Sequence, residues 1–205
     1  ALHPVIDTFE NTVLRFTPED TDDAKRERLA GLLAQYGFDL DEAVPLFSEL
    51  FSIPPEPGAP DLELTPEQRR QRVLEGFARM LCLRGGQQPT LFVMEDLQWA
   101  DPSTLELMDL VVDQAPGVSL LVLLTSRPEF ESPWGQRSFV TQVNLSRLRP
   151  EDTADMVLRV AGGKSLPEEV VLQVVEKTDG VPLFVEELLK TVIDSDLLVE
   201  REHGY

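Results

Sequence analysis

The stretch from residue 90 to residue 103, TLFVMEDLQWADPS, joins an apolar run directly to two adjacent carboxylates, Glu95 and Asp96. A short continuous apolar run bounded by turn signals predicts a strand that is buried on both faces of a sheet. Pro102 suits the first turn of a following helix, with Asp101 as its N-cap. A strand, an acidic pair, a turn and a capped helix together are typical of a sheet that presents groups to Mg²⁺ and water for nucleotide hydrolysis.

A second apolar run, SLLVLL at residues 119–124, also leads into polar residues, Thr125, Ser126 and Arg127. Leucine, methionine and valine at helical spacing lie between the two runs. Two strands joined by a helix form a βαβ unit, which is expected to be parallel and right-handed. With a weaker third strand predicted at 140–145, the fold class is α/β, with parallel strands at about 90–95, 119–125 and 140–145.

Most of the remaining sequence is predicted to be helical. Apolar residues recur at helical spacing in segments at about 4–16, 22–37 and 41–51. A proline-rich loop at 53–60 follows, and then a helix that starts at Pro66, is capped by Thr65 and Gln68, and ends at the glycine pair 85–86.

After Leu148 the pattern becomes wholly helical, with helices opening at Pro150 and Pro167 and a third one after Gly180-Val181-Pro182. The third helix is expected to reach about residue 195, and Leu197-Leu198-Val199 is expected to begin a hairpin strand. The predicted division is therefore 1–147 for a sheet-containing core with a helical insert at 1–88, 148–196 for a helical lid, and 197–205 for the start of a following domain.

Composition excludes several functional classes. The chain has 205 residues and a net charge of −19, and no basic patch stands out, so we expect no direct binding to nucleic acid or to an anionic membrane. Cys82 is the only cysteine, which excludes an internal disulfide and fits a reducing, cytoplasmic compartment. Its apolar neighbours predict a core thiol. No Cys/His spacing suits a metal, and no apolar run approaches the length of a membrane span.

Three motifs in order resemble one known family: LFVMEDLQWADPST at 91–104, TSRPE at 125–129 and GVPLFVEEL at 180–188. They are similar to the signal-transduction ATPases with numerous domains, which are AAA+-related P-loop NTPases. The branch they look most like is attached to bacterial adenylate/guanylate cyclase domains or to LuxR-type transcriptional regulators. The resemblance implies a regulatory ATPase that uses ATP and Mg²⁺ and is coupled to an output domain in the same protein.

The resemblance also implies roles for individual residues. Glu95 and Asp96 look like the Walker B acids, the first holding the hydration shell of Mg²⁺ and the second orienting or deprotonating the attacking water. Arg127, preceded by Ser126, looks like the sensor arginine near the γ-phosphate. Pro182, in the motif opened by Gly180, looks like the residue that lies near adenine and reports the nucleotide state to the lid.

The phosphate-binding motif G-x-x-x-x-G-K-[ST] does not occur in these 205 residues. Gly162-Gly163-Lys164-Ser165 matches only its tail, because position 158 is Leu158, and it is predicted to be a helix stop. The resemblance places the phosphate-binding loop before the helical insert. We therefore expect residues 1–205 to be part of a longer protein, to bind ATP poorly alone, and to associate where a central strand is missing.

Each motif also has a purely structural interpretation. Glu95 and Asp96 can be solvated acids at an ordinary strand end, residues 126–128 can be only a turn, and residues 180–182 can be only a junction between helices. Trp99 is predicted to be a packing residue. The alternative function is a non-catalytic interaction module of the same fold that docks partners without nucleotide chemistry.

Overall fold

The computed structural model describes residues 2–56 and 62–195. The chain divides into two compact units, Ala1–Thr141 and Gln142–Tyr205. The helices are α1 His3–Thr8 (extended by a π turn, Phe9–Val13), α2 Asp22–Gln35, α3 Leu40–Leu50, α4 Pro66–Gln87, α5 Pro102–Gln114, α6 Pro150–Val160, α7 Glu168–Thr178 and α8 Pro182–Asp194. The strands are β1 Thr90–Met94 and β2 Leu120–Leu124. This mixed architecture, largely helical with a small parallel sheet, is compatible with the predicted α/β class.

An aromatic cluster anchors the helices of the first unit. The ring of Phe77 on α4 lies edge-on to Phe47 of α3, with centroids 5.2 Å apart, and edge-on to Phe9, at 4.6 Å. Edge-on contacts of this kind are favoured by the ring quadrupoles. A Cβ added at Gly76 would lie 2.7 Å from the Phe47 ring, so glycine at this position allows α3 and α4 to pack closely.

The predicted βαβ unit is confirmed. Strands β1 and β2 are parallel, with a register that runs from Thr90 beside Leu120 to Met94 beside Leu124, and α5 connects them. Asp101 caps α5 as predicted, and Thr65 forms the predicted capping box with Gln68 at the start of α4. These features are local in sequence, which is why the sequence pattern predicts them.

The prediction that both strands are buried on both faces is wrong. Leu91 and Leu121 are 60% and 65% exposed, and Val93 and Leu123 are also exposed. The alternate residues Phe92 and Val122, and their neighbours two positions away, pack against the core that α4 and α5 line. Within the first unit, α4 and α5 join the core on this face of the sheet, and the side chains of Leu91, Val93, Leu121 and Leu123 on the other face are exposed.

The predicted third strand at 140–145 is also wrong, because residues 140–149 form no strand. A strand satisfies its backbone N–H and C=O groups by pairing with a neighbour. Within residues 2–56 and 62–195, the only strand pairing in a sheet is between β1 and β2, so the segment pairs with neither outer edge of that sheet. Val143 and Leu145 are accordingly exposed.

The second unit contains α6, α7 and α8, which share a small core formed by Val157, Val174, Val185 and Leu189. Gly162 and Gly163 have positive φ values directly after α6, which confirms that they are a helix stop. The predicted strand at 197–199 and the start of a domain at 197–205 lie outside the described residues. Across the ranges that the structure describes, no helix has both the length and the apolar character needed to cross a membrane.

Candidate functional site

Residues 95–99 form a tight turn after β1, which we call the acidic turn. Asp96 adopts the left-handed conformation, with φ 58° and ψ 47°, and its carbonyl accepts a hydrogen bond from the Trp99 N–H at 2.9 Å. Aspartate tolerates this conformation better than most residues because its short polar side chain can bond locally. The turn therefore redirects the chain immediately after the strand and leaves the Glu95 and Asp96 side chains exposed at its carboxyl end.

Thr125, the residue after β2, makes one hydrogen bond to the end of β1 and two to the acidic turn. Its N–H donates to the Met94 carbonyl at 3.0 Å, and its own carbonyl accepts from the Leu97 N–H at 3.0 Å. The Asp96 N–H donates to Thr125 Oγ1 at 3.1 Å. The ends of the two strands are thus joined through one residue, which fixes the backbone of Asp96 relative to the start of the Ser126–Arg127 segment.

Gln98 connects the same two segments through its side-chain amide. Its Nε2 donates to Asp96 Oδ1 at 2.8 Å, and its Oε1 accepts from the Arg127 N–H at 3.0 Å. The structure therefore brings Asp96 and Arg127 to one edge of the sheet, as expected for residues that follow neighbouring parallel strands. Ser126 lies between Thr125 and Arg127 and is exposed.

The guanidinium carbon of Arg127 lies 5.8 Å from the ring centroid of Trp99, within the range of a cation–π contact. Trp99 is 75% exposed, so the prediction that it is a packing residue is wrong. The reason is that Leu97 takes the buried position of the acidic turn, which leaves Trp99 on the outside. The other tryptophan, Trp134, is 2% exposed and donates its Nε1–H to Asp109 Oδ1 at 3.0 Å.

Asp101 closes the motif as the N-cap of α5. Its carboxylate accepts from the N–H groups of Ser103 and Thr104, from the Thr104 hydroxyl at 2.8 Å, and from the Leu2 N–H at 2.9 Å. Partial burial acts to raise the pKa of Asp101, but the hydrogen bonds from Thr104, Leu2 and Ser103 outweigh it and hold this pKa below its usual value. Asp101 is thus committed to capping and is not a free metal ligand.

The donor atoms of the acidic turn suit a hydrated Mg²⁺ ion. Glu95 and Asp96 offer exposed carboxylate oxygens, and one Asp96 oxygen is already bonded to Gln98. Magnesium typically takes one or two carboxylates and keeps several waters, completing its shell with substrate phosphate oxygens. Among the described residues, no group of three or more acids, histidines or cysteines could hold a metal as a closed protein cage.

Gly180 and Pro182 belong to the second unit. The Leu148 N–H donates to the Gly180 carbonyl at 2.8 Å, and a Cβ added at Gly180 would lie 2.2 Å from the Leu148 oxygen. Pro182 is the first residue of α8 and is exposed. The glycine at position 180 therefore has a backbone explanation, while a nucleotide-binding role for Gly180 and Pro182 stays a prediction.

No role for Gln98 or Thr125 is predicted from the sequence. Both lie inside the quoted motifs, so a signal was present: Gln98 is a hydrogen-bonding residue two positions after Asp96, and Thr125 is one directly before Ser126. Their contacts join positions 29 apart in sequence, however, and no periodicity or capping rule predicts such a pairing.

The chain matches the AAA ATPase domain family over residues 2–123, more than half of its length. This match shows that the chain belongs to that family of P-loop NTPases, and the parallel βαβ unit whose first strand ends in two acids is compatible with it.

Similarity also extends to curated proteins. Adenylate cyclase type 10 of Oryctolagus cuniculus is 25% identical over 141 residues, covering 65% of this chain and 9% of that protein. An uncharacterized protein of Rhizobium meliloti (strain 1021) is 27% identical over 132 residues, covering 61% of this chain and 12% of that protein. Adenylate cyclase type 10 of Mus musculus is 23% identical over 131 residues, or 60% of this chain and 8% of that protein. The chain thus spans about a tenth of the length of these relatives. No solved structure gives a significant match.

Proposed function

We propose that this chain is part of an ATP-binding and ATP-hydrolysing regulatory module in a multidomain, cytoplasmic bacterial signalling protein. The module couples the nucleotide state to an output domain of the cyclase or transcription-regulator kind. The observation that carries the proposal is the joining of Asp96 and Arg127 through Gln98 at the carboxyl edge of two parallel strands. Membership of the AAA ATPase domain family and similarity to proteins named adenylate cyclase support it.

Phosphoryl transfer depends mainly on placed charge, and each proposed role follows from that requirement. Glu95 would hold waters of the Mg²⁺ shell, Asp96 would orient or deprotonate the attacking water, and Arg127, with Ser126 beside it, would stabilise charge on the γ-phosphate. Bound Mg²⁺ supplies positive charge to the phosphate oxygens. The phosphate-binding loop, which these residues do not contain, supplies the remaining contacts from elsewhere in the natural protein.

The second unit contributes the lid in this proposal. Residues 148–196 close over the nucleotide, with Pro182 near adenine and Gly180 at the hinge, while residues 1–88 form the helical insert of the core. Gly180 has a positive φ, and Pro182, two residues later, starts α8 with a fixed φ. The junction between α7 and α8 therefore has a defined geometry, which suits a hinge in the lid.

A second candidate is a non-catalytic interaction module of the same fold. The open apolar face of the sheet, where Leu91 and Leu121 are exposed, favours it and also suits self-association. In this case the natural protein would carry a degenerate phosphate-binding loop, and changes in the acidic turn would leave its activity unaltered.

The deciding experiment replaces Asp96 by asparagine in the natural protein that carries this chain with its phosphate-binding loop. Asparagine retains the shape and tolerates the left-handed conformation, whereas alanine would add backbone strain. We expect single-turnover ATP hydrolysis to fall at least about 100-fold, because the base is lost, with the Kd for Mg·ATP changed less than about threefold.

The matched control is Asp41→Asn, an exposed acid in the first turn of α3. It should leave both hydrolysis and binding at wild-type values. Hydrolysis by Asp96→Asn at the wild-type rate would remove Asp96 from its role, and absence of nucleotide binding in the unchanged protein would favour the interaction module.

A further inference from the structure

Gln98 has two different polar ends, and each one is bonded to a different part of the candidate site. Its amide nitrogen donates to the Asp96 carboxylate at 2.8 Å, and its amide oxygen accepts from the Arg127 N–H at 3.0 Å. We propose that Gln98 is a positioning residue that couples Asp96 to Arg127, so that the Asp96 carboxylate is held in a fixed position relative to the Arg127 backbone. The catalytic consequence of this coupling rests on the proposed function.

Only glutamine satisfies both contacts. A carboxylate accepts hydrogen bonds and a backbone N–H donates them, so the bridge needs a donor at one end and an acceptor at the other. The amide can therefore take only one orientation between them. Glutamate would keep an acceptor for Arg127 but would set a carboxylate against Asp96, and methionine, similar in length, would lose both bonds.

The position of Gln98 completes a connection that Thr125 starts. The Thr125 hydroxyl accepts a hydrogen bond from the Asp96 N–H at 3.1 Å and so fixes the Asp96 backbone. This bond holds neither the Asp96 carboxylate nor Arg127. Gln98 donates a hydrogen bond to that carboxylate and accepts one from the N–H of Arg127, which follows β2. The Asp96 carboxylate is thereby tied to the backbone that carries the guanidinium group.

Coupling of this kind matters for catalysis more than for binding. Displacing a base or a charge by about 1 Å from its productive position costs on the order of 100-fold in rate. Nucleotide affinity depends chiefly on other contacts, so it should change little when the bridge is cut. A Gln98 variant should therefore slow hydrolysis while leaving the Kd for Mg·ATP nearly constant.

The first test measures the bridge itself, without nucleotide, by amide hydrogen exchange of Arg127 in the 205-residue chain. Gln98→Met should accelerate exchange about tenfold, because the amide loses its acceptor. Gln98→Glu should leave exchange within about threefold of wild type, because an acceptor remains. The control is Gln71→Met. Like Gln98, Gln71 is half-buried and donates to a carboxylate, that of Glu75, at 3.0 Å. This variant should leave the exchange of the Arg127 amide unchanged.

The second test measures single-turnover hydrolysis and Mg·ATP affinity of the same variants in the natural protein with its phosphate-binding loop. Both Gln98 variants should hydrolyse at least about tenfold more slowly, with Kd within about twofold, while Gln71→Met behaves as wild type. The inference is overturned if Gln98→Met leaves Arg127 exchange unchanged, or if both Gln98 variants hydrolyse normally. An accelerated exchange in Gln98→Met, in a protein that hydrolyses no ATP even unchanged, supports the coupling and overturns the proposed function.

Discussion

At position 180 the chain needs both a backbone conformation and a free space that glycine alone provides. Gly180 has φ +69°, and an added Cβ would lie 2.2 Å from the Leu148 carbonyl oxygen. We expect Gly180→Ala to destabilise the second unit by at least about 3 kcal/mol, the sum of left-handed strain and a clash with backbone that has to move. Native-state amide exchange of the buried Val157 and Leu189 in the same core measures this loss.

Gly162 offers the matched control for that change. It has φ +70°, nearly the value at Gly180, but no atom lies within 4 Å of an added Cβ. Gly162→Ala should therefore cost only the conformational part, about 1 kcal/mol. Equal losses in the two variants would show that the close approach to Leu148 contributes nothing.

Some residues of the candidate site are predictable from the sequence, and others are not. The Asp101 cap is predicted because Asp-Pro at a helix start follows a local rule. That residues following two neighbouring parallel strands meet at one edge of the sheet is also predictable, and Asp96 and Arg127 do lie at one edge, linked through Gln98. The linking amide is not predictable, because its two bonds depend on the exact turn that Asp96 makes.

At the level of elements, α5 is held at its start by an unusually well-bonded cap. Asp101 accepts from two backbone amides of its own helix, from the Thr104 hydroxyl and from the distant Leu2 N–H. Asp101→Ala should lower the free energy of unfolding of the first unit by about 2 kcal/mol, at the upper end of the range for caps. Urea unfolding measures it, with Asp39→Ala as a control that should cost about half as much, because among the described residues the carboxylate of Asp39, the cap of α3, accepts one hydrogen bond, from the Asp41 N–H.

The Asp101 cap also predicts how stability depends on pH. Since the folded pKa of Asp101 is held below its unfolded value, the contribution of its charge is fully present above about pH 4 and is lost as pH falls through the folded pKa. Wild type should therefore lose more stability than Asp101→Ala between about pH 4 and pH 2. Parallel pH profiles for the two proteins would contradict the proposed charge contribution.

Sequence prediction fails for the strands, because strand pairing and burial depend on residues that are distant in sequence. An apolar run such as LLVLL predicts a strand, and β2 is confirmed, but the run does not reveal how many faces are covered. The weaker run at 140–145 forms no strand: a strand requires a paired neighbour, and this run pairs with neither outer edge of the two-stranded sheet. Helices α2 to α4 need no such partner for their backbone bonds, so their predicted bounds hold to within two residues.

For the whole molecule, the exposed sheet face and the net charge act in opposite directions. Leu121 is 65% exposed on an apolar face, which favours association, while a net charge of −19 makes two copies repel each other. Salt screens the repulsion but leaves apolar burial intact or strengthened. The balance therefore predicts that this chain associates weakly at low salt and more strongly at high salt, the reverse of an association held by opposite charges.

Substituting the exposed face tests that balance. Leu121→Gln should weaken association measured by sedimentation velocity at least about fivefold at 0.5 M salt, because an apolar side chain no longer leaves water. Leu172→Gln on α7 is the control, since Leu172 is 60% exposed and belongs to the second unit rather than to the sheet. If the wild-type chain stays monomeric at every salt concentration, or if both variants weaken association equally, the open face of the sheet is not the surface at which copies meet.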